Sequence, residues 1–177
     1  VLDINKLKYQ LYGFLNWGKC EKLRVMQDFS ILCMFIGNDF LPKFPSMIDV
    51  KHTMNSTFSI YKQLKLYLTD EKNNIIWKNL LLFLTEFSKR QNESYNYNFL
   101  EPKSHPYPEY KQSSKNGQFD ITQFSKLWYK KQGNSKKTMI KEYLKTLQWI
   151  QHYYNYGFNA VSNTHYYKYF YTPLLHD

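Results

Sequence analysis

Apolar positions in the first part of the chain recur at intervals of three and four, with breaks at glycine and proline. Ile4, Leu7, Leu11 and Leu15 fall on one helical face, with Asp3 ahead of them as an N-cap and Trp17-Gly18 behind them as a stop. A polar link over Glu21–Met26 leads into the most apolar run of the sequence, Phe29-Ser30-Ile31-Leu32-Cys33-Met34-Phe35-Ile36. Such a run predicts a helix buried on all sides, with Asp28 placed to cap its first turn. Gly37 ends it, because glycine takes the left-handed conformation of a helix C-terminus at little cost, and Pro42 keeps it from resuming. Asn38 and Asp39 lie at the mouth of that stop. Asp39 therefore stands at the negative pole of a helix dipole, a poor place for a carboxylate unless a cation sits beside it. A Gly-Asn-Asp triplet is also an ordinary turn sequence.

Further along, Phe58, Tyr61, Leu64 and Leu68 predict a helix closing near Asp70. Ile76, Leu80, Phe83, Leu84 and Phe87 predict another, beginning at Asn73 or Asn74. Between 91 and 119 the composition turns to Asn, Ser, Pro, Tyr and Gly, with Pro102, Pro106 and Pro108 close together. That predicts a long, partly disordered loop in which the isolated His105 has no role. Asp120 caps a helix over residues 121–132. Asn134 or Ser135 caps a longer one that runs to about Tyr156 with Ile140, Tyr143, Leu147, Ile150 and Tyr154 as its apolar face. Lys137, Lys141 and Lys145, with His152 further along, form a second stripe; it suits phosphate contact, although a solvated face is the commoner origin of such a pattern. Most rings of the tyrosine-rich tail suit wall and core positions with hydrogen-bonded hydroxyls.

Charge adds a candidate partner. The chain carries 24 basic and 14 acidic side chains, a net +10, which points to an anionic partner, nucleic acid being the usual one. Residues 103–155 hold ten lysines against Glu109, Asp120 and Glu142. Only Arg24 and Arg90 are arginine, whereas phosphate readers commonly use both types, and the abundance of Lys, Asn, Tyr and Ile also fits drift in an AT-rich genome. Two cysteines are too few for a disulfide framework, and Cys33 reads as a reduced core thiol. No signal peptide is evident and no apolar run reaches membrane-spanning length, so no membrane partner is expected. Because the sequence opens on Val1, it reads as an excerpt of a larger protein.

The run Asp28 to Pro45, D-F-S-I-L-C-M-F-I-G-N-D-F-L-P-K-F-P, resembles a signature of the XRN-type 5′→3′ exoribonucleases, and its L-C-x-x-x-G-x-D-[FY] core resembles the wider flap-endonuclease superfamily. The L-D-I-x-x-L segment at the start is similar to the one that precedes this signature in the family. So is Tyr143-Leu144-Lys145-Thr146-Leu147-Gln148-Trp149-Ile150, followed by Tyr153-Tyr154 and Gly157, to the family run Y-[LV]-x-x-L-Q-W-[VI]. Tyr166-Tyr167, Tyr169, Tyr171 and Pro173 resemble its closing tyrosine block. The family has S-W-x-W between those blocks, where this chain has Ser162, Asn163 and His165.

The resemblance implies a mainly α fold: the helical C-terminal part of an α/β 5′→3′ nuclease, a fragment of a larger protein. Residues 1–90 would carry the last acidic metal-site motif, 91–119 a variable insertion, and 120–177 a helix and tyrosine-rich segment of the same domain. It further implies that Asp39 is a catalytic metal ligand for Mg²⁺ or Mn²⁺, sharing the ion with carboxylates outside this excerpt. The full protein would hydrolyse 5′-monophosphorylated RNA processively, and the excerpt alone would be inactive. Its partners would be RNA and the N-terminal nuclease part of the same protein, inside the cell in cytoplasm or nucleus. Lys137, Lys141, Lys145, His165 and Tyr166 are the candidate RNA contacts, with His165 or Tyr166 replacing the family tryptophans as a stacking face. The alternative is a non-catalytic RNA-binding or scaffold remnant of the family. A DNA flap nuclease would retain Asp39 but lacks the support of the tyrosine block.

Overall fold

Residues 3–47, 49–100, 107–133 and 136–177 are described by the structure, a computed structural model. Helix α1, Ile4–Leu15, starts where Asp3 accepts the Lys6 N–H, as its sequence pattern predicts. Helix α2, Lys22–Met34, begins earlier than expected and absorbs the polar link. Asp49 caps α3, Val50–Leu64, which ends at Lys65 in the left-handed region, well short of Asp70. Helix α4 spans Trp77–Lys89. Among the described residues no helix is long and apolar enough to cross a membrane.

The stretch expected to be a loop is largely ordered. It holds α5, Gln91–Leu100, the short α6, Glu109–Gln112, and a two-stranded antiparallel hairpin of β1, Ser114–Lys115, and β2, Gln118–Phe119. Its polar composition masked the anchors: Tyr95 and Tyr110 are fully buried and pack with Phe119 and Phe124. His105 and the cap at Asn134 or Ser135 lie outside the described residues. Asp120 caps α7, Ile121–Gln132, through the Thr122 and Gln123 N–H groups. Helix α8 covers Lys136–Tyr156, and a 3₁₀ turn, Phe158–Ala160, leads into the tail. On α8 the expected apolar face holds at Tyr143, Leu147 and Ile150, whereas Tyr154 is 52% exposed.

Helix α2 packs against α1, α3 and α8. Its side chains Val25, Ile31, Leu32 and Met34, with Phe35, Phe83, Leu147 and Ile150, form the main core. A second aromatic core gathers Tyr95, Tyr110, Phe124, Trp128 and Leu174. There the tail folds back on α7: Tyr171 stacks on Trp128 at 4.2 Å, and the Trp128 indole N–H donates to the Thr172 carbonyl at 2.8 Å. Most tail tyrosines thus serve packing, but the buried Tyr143 and Tyr169 hydroxyls have no hydrogen-bond partner among the described residues.

Asp28 is not a helix cap. It sits in the middle of α2, 0% exposed, and its carboxylate accepts four hydrogen bonds. The donors are the Tyr61 hydroxyl at 2.6 Å, the Leu68 and Thr69 N–H groups at 2.9 and 2.8 Å, and the Thr69 hydroxyl at 2.6 Å. Burial pushes this carboxyl above the usual carboxylate range, and the four donors act against that shift. A single acid thus ties α2 to α3 and to the chain after it. Beside it Arg24 lies over the Tyr67 ring and donates to the Thr69 carbonyl.

Candidate functional site

The turn after α2 is fixed by Gly37, by Asn38 and by the buried Leu41 and Phe44. Gly37 has φ of +89°, and a Cβ there would lie 2.9 Å from the Lys43 nitrogen, so both conformation and space call for glycine. Its N–H donates to the Met34 carbonyl at 3.1 Å. Next, the Asn38 side-chain oxygen accepts from the Phe40 and Leu41 N–H groups at 2.8 and 2.9 Å, and the Asn38 N–H donates to the Leu41 carbonyl at 2.9 Å. Leu41 and Phe44 are buried beyond it. Asp39 is the outward-facing residue of this locked turn: it is exposed, and its carboxylate has no hydrogen bond or ion pair among the described residues.

A small cavity of about 140 Å³ opens beside it, lined by Asp39, Phe40, Thr146, Trp149, His165, Tyr166 and Tyr167. Its aromatic wall is interlocked. Phe40 packs edge-on against Trp149 at 5.1 Å and Tyr153 at 5.3 Å, and Trp149 stacks on Tyr153 at 5.3 Å with 11° between their planes. Residues 149 and 153 are one helical turn apart, so their rings overlie each other on α8. The Trp149 indole N–H donates to the Ser162 carbonyl at 2.8 Å, which ties the tail to α8. Tyr154 meets Phe40 at 6.3 Å. Burial, then the Asp39 charge, then Tyr153 raise its hydroxyl's pKa.

His165 is held from below. Its Nε2 lies 3.0 Å from the Thr146 hydroxyl, which in turn donates to the Glu142 carbonyl at 2.8 Å. With its one proton spent on that carbonyl, the hydroxyl accepts from His165, so Nε2 carries the hydrogen and Nδ1 is the basic nitrogen. Burial, then the positive charge of Lys145, hold this imidazole below its ordinary pKa, with Glu142 acting the other way. The ring lies 5.9 Å from Trp149. Tyr166, 75% exposed, offers a free aromatic face at the rim.

The structure therefore brings Asp39, His165 and Tyr166 to one cavity, with Lys145 alongside. Lys137 and Lys141 are exposed on the same helix, but neither lines the cavity; at about 3.6 residues per turn they rotate toward α4. Sequence reasoning assigned no part here to Phe40, Thr146 or Trp149. The available signal was the Phe directly after Asp39 and the four-residue spacing of Trp149 and Tyr153.

A divalent metal pair requires several hard oxygen ligands. Among the described residues no group of three or more His, Cys, Asp or Glu side chains could hold a metal ion. Asp39 can supply one ligand, so these residues alone do not fit a complete metal centre.

Among known protein families, residues 19–113 match the Xrn1 helical domain, more than half of the chain. The match takes in α2 to α6, the Gly37–Pro42 turn and Asp39; α8 and the tail fall outside it. No curated protein matches the chain.

Proposed function

The chain belongs to the XRN 5′→3′ exoribonuclease family through its helical domain, and we propose that it forms the wall of an RNA-end site in which Asp39 completes a metal centre. The other carboxylates would come from the rest of the protein, and Mg²⁺ or Mn²⁺ bound among them would supply the charge stabilisation that phosphodiester hydrolysis needs. The observation that carries this reading is the unpaired Asp39 carboxylate, fixed on a locked turn at the C-terminal pole of α2. That placement is unfavourable by itself and becomes favourable once a cation is shared.

This chain's own groups then have separate tasks. Gly37 and Asn38 hold the carboxylate's position. Phe40, Trp149 and Tyr153 give the cavity a rigid apolar wall, and His165 and Tyr166 offer faces on which the terminal base of an RNA strand can stack, a contact worth about 1–3 kcal/mol per base. Lys145 provides positive charge for a phosphate next to that base. The substrate is 5′-monophosphorylated RNA, and the protein acts inside the cell.

The test is metal-dependent degradation of 5′-monophosphorylated RNA by the full-length protein and by its Asp39→Ala variant. A metal ligand's loss is expected to lower the rate by roughly 100-fold or more while leaving the fold intact. Unchanged activity would refute the assignment. A second reading, RNA binding without hydrolysis, draws on Asn163 and His165 standing where the resembled family has tryptophan. It expects tight RNA binding by a full-length protein that does not cleave.

A further inference from the structure

Away from the Asp39 cavity, α4 and α8 part to leave an apolar groove of about 550 Å³, within the size range of working binding sites. The buried Phe44, Leu80 and Tyr143 lie at its base, Leu81 and Leu84 line it from α4, and Leu144 lines it from α8. Trp77, which also lines it, is 45% exposed, and Leu81 is 66% exposed. A contiguous open apolar surface of this kind marks an interaction site rather than scattered surface hydrophobes.

The flanks of the groove are basic. Lys78 adjoins Trp77 and precedes Leu81 by one helical turn; Lys137 and Lys141 bracket Ile140, which lines the groove, and Lys141 precedes Leu144 by one turn. All three are exposed, and none has an ion-pair partner among the described residues. Of the nearby carboxylates, Glu86 pairs with Lys89, and Asp177, which lines the groove's end, pairs with Lys136; Glu142, next to Lys141, lies near His165 and Tyr167 instead.

We propose that this groove docks an acidic amphipathic helix of a partner protein. Apolar side chains at i, i+3, i+4 and i+7 would fill the space over Leu81 and Leu144, and flanking Asp and Glu would meet Lys78, Lys137 and Lys141. The apolar base selects this occupant over RNA, whose backbone would use the lysines and leave the leucines exposed. The net charge of +10 disfavours a second copy of this chain.

The experiment titrates the full-length protein with two fluorescein-labelled helical peptides that share leucines at that spacing, one with glutamate elsewhere and one with lysine. Anisotropy is expected to report binding of the glutamate peptide alone. Leu81→Glu, at an exposed position, is expected to weaken it roughly tenfold or more, and the double variant Lys78→Glu, Lys141→Glu to transfer preference to the lysine peptide. The proposal is overturned if the glutamate peptide fails to bind or if both peptides bind alike. It is equally overturned if single-stranded RNA displaces the bound peptide, or if Trp77 in the full-length protein is shielded from acrylamide quenching, since the groove would then already be filled by its own polypeptide.

Discussion

Gly37 shows how much of the site depends on one missing side chain. Its φ of +89° is costly for any L-residue with a Cβ, and the added atom would meet Lys43 backbone at 2.9 Å. Gly37→Ala is therefore expected to destabilise the protein by about 1–3 kcal/mol, measured by urea unfolding. Because the strain is released by moving the turn, RNA degradation by the folded fraction is expected to fall further than stability does; a displacement of about 1 Å in a reacting group can cost about 100-fold. Asn38 acts with it, since its side-chain oxygen takes the place of a backbone acceptor for two N–H groups. Cys33, by contrast, is inert: burial raises its thiol to about 11, leaving little thiolate at neutral pH.

At the scale of elements, the helices with local signals were legible from sequence. Helices α1 and α7 begin beside the capping aspartates that predicted them, because a cap is written in adjacent residues. What failed depended on partners distant in sequence. Asp28 looked like a cap because it precedes an apolar run; the donors its carboxylate accepts from are Tyr61, Leu68 and Thr69, more than thirty residues away. Residues 91–119 looked like a loop because Tyr95 and Tyr110 are isolated in polar sequence and find each other only in the fold. The same holds for the site: Asp39 was visible as a residue after a helix stop, but its neighbours Thr146 and Trp149 come from a helix over a hundred positions later. Asp28→Ala would leave four donors without an acceptor in a dry core. A loss of about 3 kcal/mol or more in unfolding free energy is expected, with Asp28→Asn intermediate because one oxygen can still accept.

For the whole molecule, two cores support two surfaces. The main core fixes α2 against α8 through packing and through the Gln151 side-chain amide, which lies 2.9 Å from the Ser30 hydroxyl. That register sets the Asp39 turn over the aromatic wall of α8. The second core holds the tail against α7, and the tail brings His165 and Tyr166 to the same cavity. Family membership rests on residues 19–113, which carry the Asp39 turn, while Trp149, His165 and Tyr166 on the facing side of the cavity lie beyond them. The whole reading requires the two to act on one RNA end beside a shared cation. Electron paramagnetic resonance of Mn²⁺ titrated into the full-length protein tests that requirement most directly. The account expects Asp39→Asn to weaken Mn²⁺ binding roughly tenfold or more while leaving thermal unfolding of the metal-free protein unchanged. Identical Mn²⁺ binding by the wild-type protein and the variant would contradict it.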